Sequence, residues 1–178
     1  MTTAQTQPDQ AERAADGRRL LFDLSPIDLS AVLADTEGVE RVNPHRHEMR
    51  LLDEVIFVAE DHSRAVGRLR VSHEPFWARG HFPSRPTMPG VLMVEAGAQI
   101  ASYLWNIQQT TPRVAAFLRI EEAVFRRAIA PGEEIILLAA EVKNSRRRFI
   151  SDVQGLVDGE VAFSARISGL AMEEHRSA

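Results

Sequence analysis

The 178-residue sequence contains no cysteine. That excludes disulfides, thiolate nucleophiles and Cys-ligated zinc or iron–sulfur centres. Lysine is almost absent as well: Lys143 stands alone beside twenty arginines. The 21 basic residues are outnumbered by 25 acidic ones, for a net charge of −4. That balance argues against wholesale nucleic-acid binding, which usually needs a basic domain. Long apolar runs are missing too. The longest, from Gly90 to Trp105, holds Glu95 and Gln99, whereas a membrane span needs about 20 residues with few charges. Residues 1–20 have no apolar segment of the secretory type. The expectation is a cytoplasmic protein without membrane contact. What is present is ordinary: 44% hydrophobic and 26% charged residues, nine prolines and ten glycines, the proportions of one globular domain.

The polar stretch 1–22 reads as a flexible arm, 23–172 as a single domain and 173–178 as a polar tail. Ser25-Pro26 predicts a short helix with Ser25 as N-cap. Residues 53–59 and 65–72 alternate as strands. A proline-rich loop over 73–90 leads into a helix over 89–108. Strands are predicted at 113–120, 134–144, 147–157 and 160–170, the last two joined by the hairpin turn Asp158-Gly159. The helix is apolar nearly all round, so it must be buried on most sides. Glu95, Gln99 and Ser102 form its one polar stripe. A curved antiparallel sheet around a central helix, an α+β fold, accommodates this pattern.

Chemistry concentrates in residues 80–102, GHFPSRPTMPGVLMVEAGAQIAS. His81 lies in the loop whose prolines restrict the backbone. Pro89 suits the first helical position and leaves the Gly90 N–H unpaired at a helix start. Glu95 falls within the apolar helix. A carboxyl group buried without partners keeps its proton, the state a general acid needs. A base, an acid and a free backbone donor together point to a catalytic site.

The run His81-Phe82-Pro83, Pro86, Met88-Pro89-Gly90-Val91-Leu92, Glu95-Ala96 and Ala98-Gln99 resembles the 3-hydroxyacyl-[acyl-carrier-protein] dehydratases of type II fatty acid synthesis. Pro44-His45-Arg46 with Leu51-Leu52-Asp53, Phe125-Arg126-Arg127 with Pro131-Gly132-Glu133, and Val157-Asp158-Gly159-Glu160 extend the resemblance over residues 43–170. It implies the hot-dog fold. It implies His81 as the base that removes the C2 proton, Glu95 as the acid that protonates the departing hydroxyl, and Gly90 as the donor to the thioester oxygen. Phe82, Pro89, Val91 and Gln99 are the implied substrate-binding residues.

No metal or other cofactor is implied. His45 and His47 have HxH spacing but no third ligand follows at a sensible distance. The implied partner is an acyl carrier protein bearing a 3-hydroxyacyl-phosphopantetheine, with Arg126, Arg127, Arg146, Arg147 and Arg148 as candidate docking charges. The implied assembly is a homodimer, or three such dimers together. A non-catalytic acyl-thioester-binding module and a thioesterase remain as alternatives on the same fold. The sequence departs from the family at Ser84, where Gly is common, at Gly97, where a bulkier residue is common, and at His47, where Tyr is usual. Ser84 and Gly97 are expected beside the substrate path.

Overall fold

The computed structural model describes residues 19–172. Six antiparallel strands form one sheet in the order β1-β2-β4-β5-β6-β3. They are β1 (Glu54–Val58), β2 (Arg64–Arg70), β3 (Ala115–Phe125), β4 (Glu134–Asn144), β5 (Arg148–Val157) and β6 (Glu160–Ala171). A short helix α1 (Thr36–Val42) precedes β1, and the long helix α2 (Gly90–Asn106) lies between β2 and β3. The sheet curves around α2, which packs across β2, β4, β5 and β6.

The helix is buried on most sides because it is apolar nearly all round. Met93, Ala96, Ile100, Leu104 and Trp105 are almost wholly enclosed. Truncating a buried side chain such as Ile100 to Ala costs about 2–5 kcal/mol. Gly97 sets the approach to the sheet. A Cβ there would lie 2.9 Å from Val153 Cγ2 and 3.3 Å from Phe163 Cε2. Gly97 therefore faces β5 and β6, and the expectation that it borders the substrate path is replaced by a packing role. Hydrogen bonds close the helix C-terminus. Asn106 bonds both the N–H and the carbonyl of Arg113, and Trp105 Nε1 donates to the Ser145 carbonyl at 2.9 Å.

The β5–β6 hairpin turns at Asp158 and Gly159, with φ of 52° and 79°, the two-residue turn that Asp-Gly favours. The helix predicted from Ser25-Pro26 does not form. The Asp23 carboxylate accepts both the N–H and the hydroxyl of Ser25, so that hydroxyl is already committed to a turn. The helix appears instead at α1, where Asp35 Oδ1 accepts the Gly38 N–H at 2.9 Å as an N-cap.

The proposed arm 1–22 and the tail 173–178 lie largely outside the described residues. Arg19 to Phe22 are described and lie against the sheet. Gln154 accepts the Leu21 N–H and donates to the Arg19 carbonyl. Leu20, Leu21, Phe22 and Leu24 cover Leu138, Leu156 and Val161. The far edge is different. Strand β3 is exposed along nearly its whole length, including Phe117, Leu118, Ile120, Val124 and Phe125.

Candidate active site

The loop before α2 holds His81 through its own backbone. The His81 N–H donates to the Trp77 carbonyl at 2.8 Å, and the His81 carbonyl accepts the Thr87 N–H at 2.8 Å. Nδ1 lies 2.7 Å from the Thr87 carbonyl oxygen. That oxygen can only accept, so Nδ1 carries the hydrogen and Nε2 keeps its lone pair. The imidazole is thus set up as a base at Nε2. The exposed Phe82 ring stacks on it with centroids 4.1 Å apart.

Pro89 is the N-cap of α2, with no capping side chain. Among the described residues no acceptor takes the Gly90 N–H, which faces outward at the positive end of a 17-residue helix. The Phe125 ring lies on Gly90 so closely that a Cβ would meet Phe125 Cζ at 2.9 Å. Val91, in the first turn, is exposed.

Glu95 lies less than two turns further along. It is not a carboxyl group buried without partners, as the sequence suggests: it is partly exposed, and its Oε1 accepts from Gln99 Nε2 at 2.9 Å and is 3.3 Å from His45 Nε2. Gln99, expected to bind substrate, is only 1% exposed. Its Nε2 also donates to the Met49 carbonyl, and its Oε1 accepts the Leu51 and Leu52 N–H groups. All its hydrogen-bonding capacity is spent on Glu95 and on the 49–52 segment, leaving none for a substrate. It acts as a clamp.

Glu95 borders a narrow cleft of about 40 Å³ with His45, Ala98, Ser102, Phe117 and Phe149. A larger hollow of about 440 Å³, between α1 and Tyr103, contains neither His81 nor Glu95. His81 does not line the Glu95 cleft, and its bonded partners are Trp77 and Thr87. Within one chain His81 thus lies outside the cleft that Glu95 borders. His45 and His47 also separate: His45 faces Glu95, and His47 is exposed. Ser84 is exposed in the loop. Among the described residues, no group of three or more potential ligands is arranged for a metal, and no helix is long and apolar enough to cross a membrane.

The arginines do not form one surface. Arg126 follows β3 beside Phe125 and donates to Ser164 Oγ at 3.0 Å. Arg127 is paired with Glu133 at 2.7 Å and Asp158 at 2.9 Å. Arg146 and Arg147 lie in the β4–β5 turn and Arg148 opens β5. The ten residues of β5 separate this turn from the β5–β6 hairpin, a span of roughly 30 Å.

Sequence reasoning missed two residues here. His45 enters the sequence reading as part of the Pro44-His45-Arg46 motif and as half of an HxH pair, and Phe125 as part of a motif, neither with a role in the site. Neither the His45–Glu95 contact nor the ring over Gly90 has a local signature, because each joins elements far apart in the chain.

A family model for a FabA-like domain matches residues 43–166. A 3-hydroxyacyl-[acyl-carrier-protein] dehydratase FabZ of Brucella abortus is 37% identical over 142 residues, covering 76% of this chain and 89% of that protein. A FabZ of the same description from Streptococcus pneumoniae is 31% identical over 137 residues, covering 76% and 96%. Among solved structures, the dehydratase heterocomplex ApeI:P from Xenorhabdus doucetiae matches with a TM-score of 0.66 at 17% identity, over 76% of this chain and 91% of that one. That likeness establishes the curved sheet and central helix as the hot-dog fold. The chain belongs to the FabA-like family.

Proposed function

We propose that this protein removes water from a 3-hydroxyacyl thioester carried on acyl carrier protein, giving the trans-2-enoyl thioester, in the cytoplasmic synthesis of fatty acids. The observation that carries this reading is the Glu95 carboxyl group: one oxygen is held from behind by Gln99, and the group borders a cleft. Mere binding of an acyl chain does not need an acid fixed in this way.

The groups divide the reaction between them. His81 Nε2 takes the C2 proton, and the Nδ1–H bond to Thr87 keeps the ring in the required tautomer. Negative charge grows on the thioester oxygen, where the Gly90 N–H and the α2 dipole stabilise it. Glu95 gives its proton to the C3 hydroxyl, which leaves as water. The C2 electron pair becomes the C2–C3 double bond, so one proton lost and one gained balance the step. Phe82, Pro89 and Val91 border the base and the helix start, where the acyl thioester would run. The reaction as written uses side chains and a backbone donor only.

His81 lies outside the Glu95 cleft of its own protomer, and a second copy would bring a His81 to it. The apolar edge β3 supplies the surface: an unpaired, exposed strand of this length is a pairing site. A two-fold partner pairing there covers Phe117, Leu118 and Ile120 and adds its own wall to a cleft that is too small for an acyl chain in one protomer. Each of the two sites then takes His81 from one protomer and Glu95 from the other.

The test is incubation with 3-hydroxyacyl carrier-protein substrates of several lengths. Enoyl thioester is the expected product. Release of free carrier thiol would mean a thioesterase, and tight binding without turnover a non-catalytic module.

A further inference from the structure

The cleft holds one more titratable side chain beside Glu95. His45 Nε2 lies 3.3 Å from Glu95 Oε1, the oxygen that already accepts from Gln99. Oε1 is thus approached by two nitrogens from the protein side. Among the described residues no group reaches Oε2.

The other ring nitrogen settles the tautomer. His45 Nδ1 is buried and has no hydrogen-bond partner. A buried N–H left unpaired costs more than an unpaired lone pair, as the rarity of orphaned donors shows. The hydrogen therefore sits on Nε2, the nitrogen 3.3 Å from the carboxyl oxygen.

The backbone around His45 is fixed from both sides. Arg46 Nη1 donates to the carbonyls of Asn43 and His45, and Nη2 to that of Glu40. Asn43 Nδ2 donates to the Gln99 carbonyl at 2.8 Å. The histidine is thereby tied to the same turn of α2 that carries the acid.

Resting on the dehydratase reading above, we propose that His45 is a positioning residue for Glu95: its Nε2–H holds Oε1, so that Oε2 is the oxygen that delivers the proton to the departing hydroxyl. At 3.3 Å the contact is a close approach rather than a formed hydrogen bond. It tightens as Glu95 loses its proton and the acceptor becomes charged. An interaction that strengthens only as the proton leaves lowers the barrier without strengthening substrate binding. Its loss should therefore appear in kcat, with KM little changed.

Three variants of the full-length homodimer test this, assayed on a 3-hydroxyacyl carrier-protein substrate with thermal melts alongside. His45→Leu should lower kcat by roughly 10- to 100-fold, a part of what a general acid contributes, and change KM by less than about twofold. His45→Gln places an amide N–H near the Nε2 position and should recover most of kcat. His45→Asn, one carbon shorter, should not. The Gln–Asn comparison stands even if the Leu variant fails to fold. In a Glu95→Gln background, His45→Leu should cost no further activity, because the effect passes through Glu95. A fully active, folded His45→Leu, equal kcat for Gln and Asn, or the same fold loss in both backgrounds would each overturn the inference while leaving the dehydratase reading intact. Absence of enoyl product from the unaltered chain would overturn both.

Discussion

Gln99 and Glu95 stand one turn apart on α2 and share a hydrogen bond, Gln99 Nε2 donating to Glu95 Oε1 at 2.9 Å. The same amide holds Met49, Leu51 and Leu52. Replacing Gln99 with Leu leaves two N–H groups and a carbonyl without partners. Each buried group left unpaired costs about 1–3 kcal/mol. The variant should lose roughly 3 kcal/mol or more in denaturant unfolding, together with most of its activity. An unchanged unfolding midpoint would contradict the clamp.

Gly97 has a structural reason to be glycine. A methyl group there would meet Val153 Cγ2 at 2.9 Å and Val153 Cβ at 3.1 Å. Gly97→Ala should destabilise the chain by about 1–3 kcal/mol, the usual cost of overpacking. Adding Val153→Ala removes the closer clash and should recover part of the loss. Thermal melts of the single and double variants measure the coupling, and strict additivity would show that the two sites do not touch.

The acid limb of stability should depend on Glu54. A hydrogen bond from Arg70, helped by one from Arg68, holds its carboxyl below the ordinary value, against the desolvation that raises it. A depressed folded-state value means stability that is complete above the ordinary glutamate range of about 4.3. It is lost as pH falls through the folded value. Glu54→Gln should therefore flatten the dependence of melting temperature on pH below about 4.3. Superimposable acid profiles would show that the ion pairs add nothing.

Much of this fold was legible from periodicity. Periodicity predicts β4 at its observed bounds and β5 and β6 within one residue, because alternation is regular there and Asp158-Gly159 marks the turn. Strand β3 runs to Phe125, five residues past its predicted end. Its alternation is broken by register shifts between Phe117 and Arg119 and between Glu121 and Val124, and Glu122 has a φ of 52°. Helix α1 has only seven residues, too few to show a helical period in the sequence. The motif around His81, Gly90 and Glu95 was visible because its residues are contiguous. The role of Gln99 was not: its partners lie 47 to 50 residues away, and spacing carries no trace of them.

Docking of the carrier protein should depend on the end of the sheet beside Gly90. Arg126 is exposed there, whereas Arg127 is already neutralised by Glu133 and Asp158. Arg126→Glu should raise KM for carrier-protein substrates by roughly fivefold and weaken the salt dependence. A short soluble thioester should be processed as before, and Arg146→Glu at the opposite end should have a smaller effect. Equal losses on both substrates would assign Arg126 to the fold or the pocket.

Complementation decides whether a dehydratase site is shared between two protomers. His81→Ala and Glu95→Gln homodimers should each lose on the order of a hundredfold or more in rate while melting like the parent. Refolding the two chains together in equal amounts gives half heterodimers, each with one intact and one doubly altered site. Enoyl thioester formation should return to roughly a quarter of the parental rate. Verified heterodimers that form no more enoyl product than either variant alone would contradict the shared site.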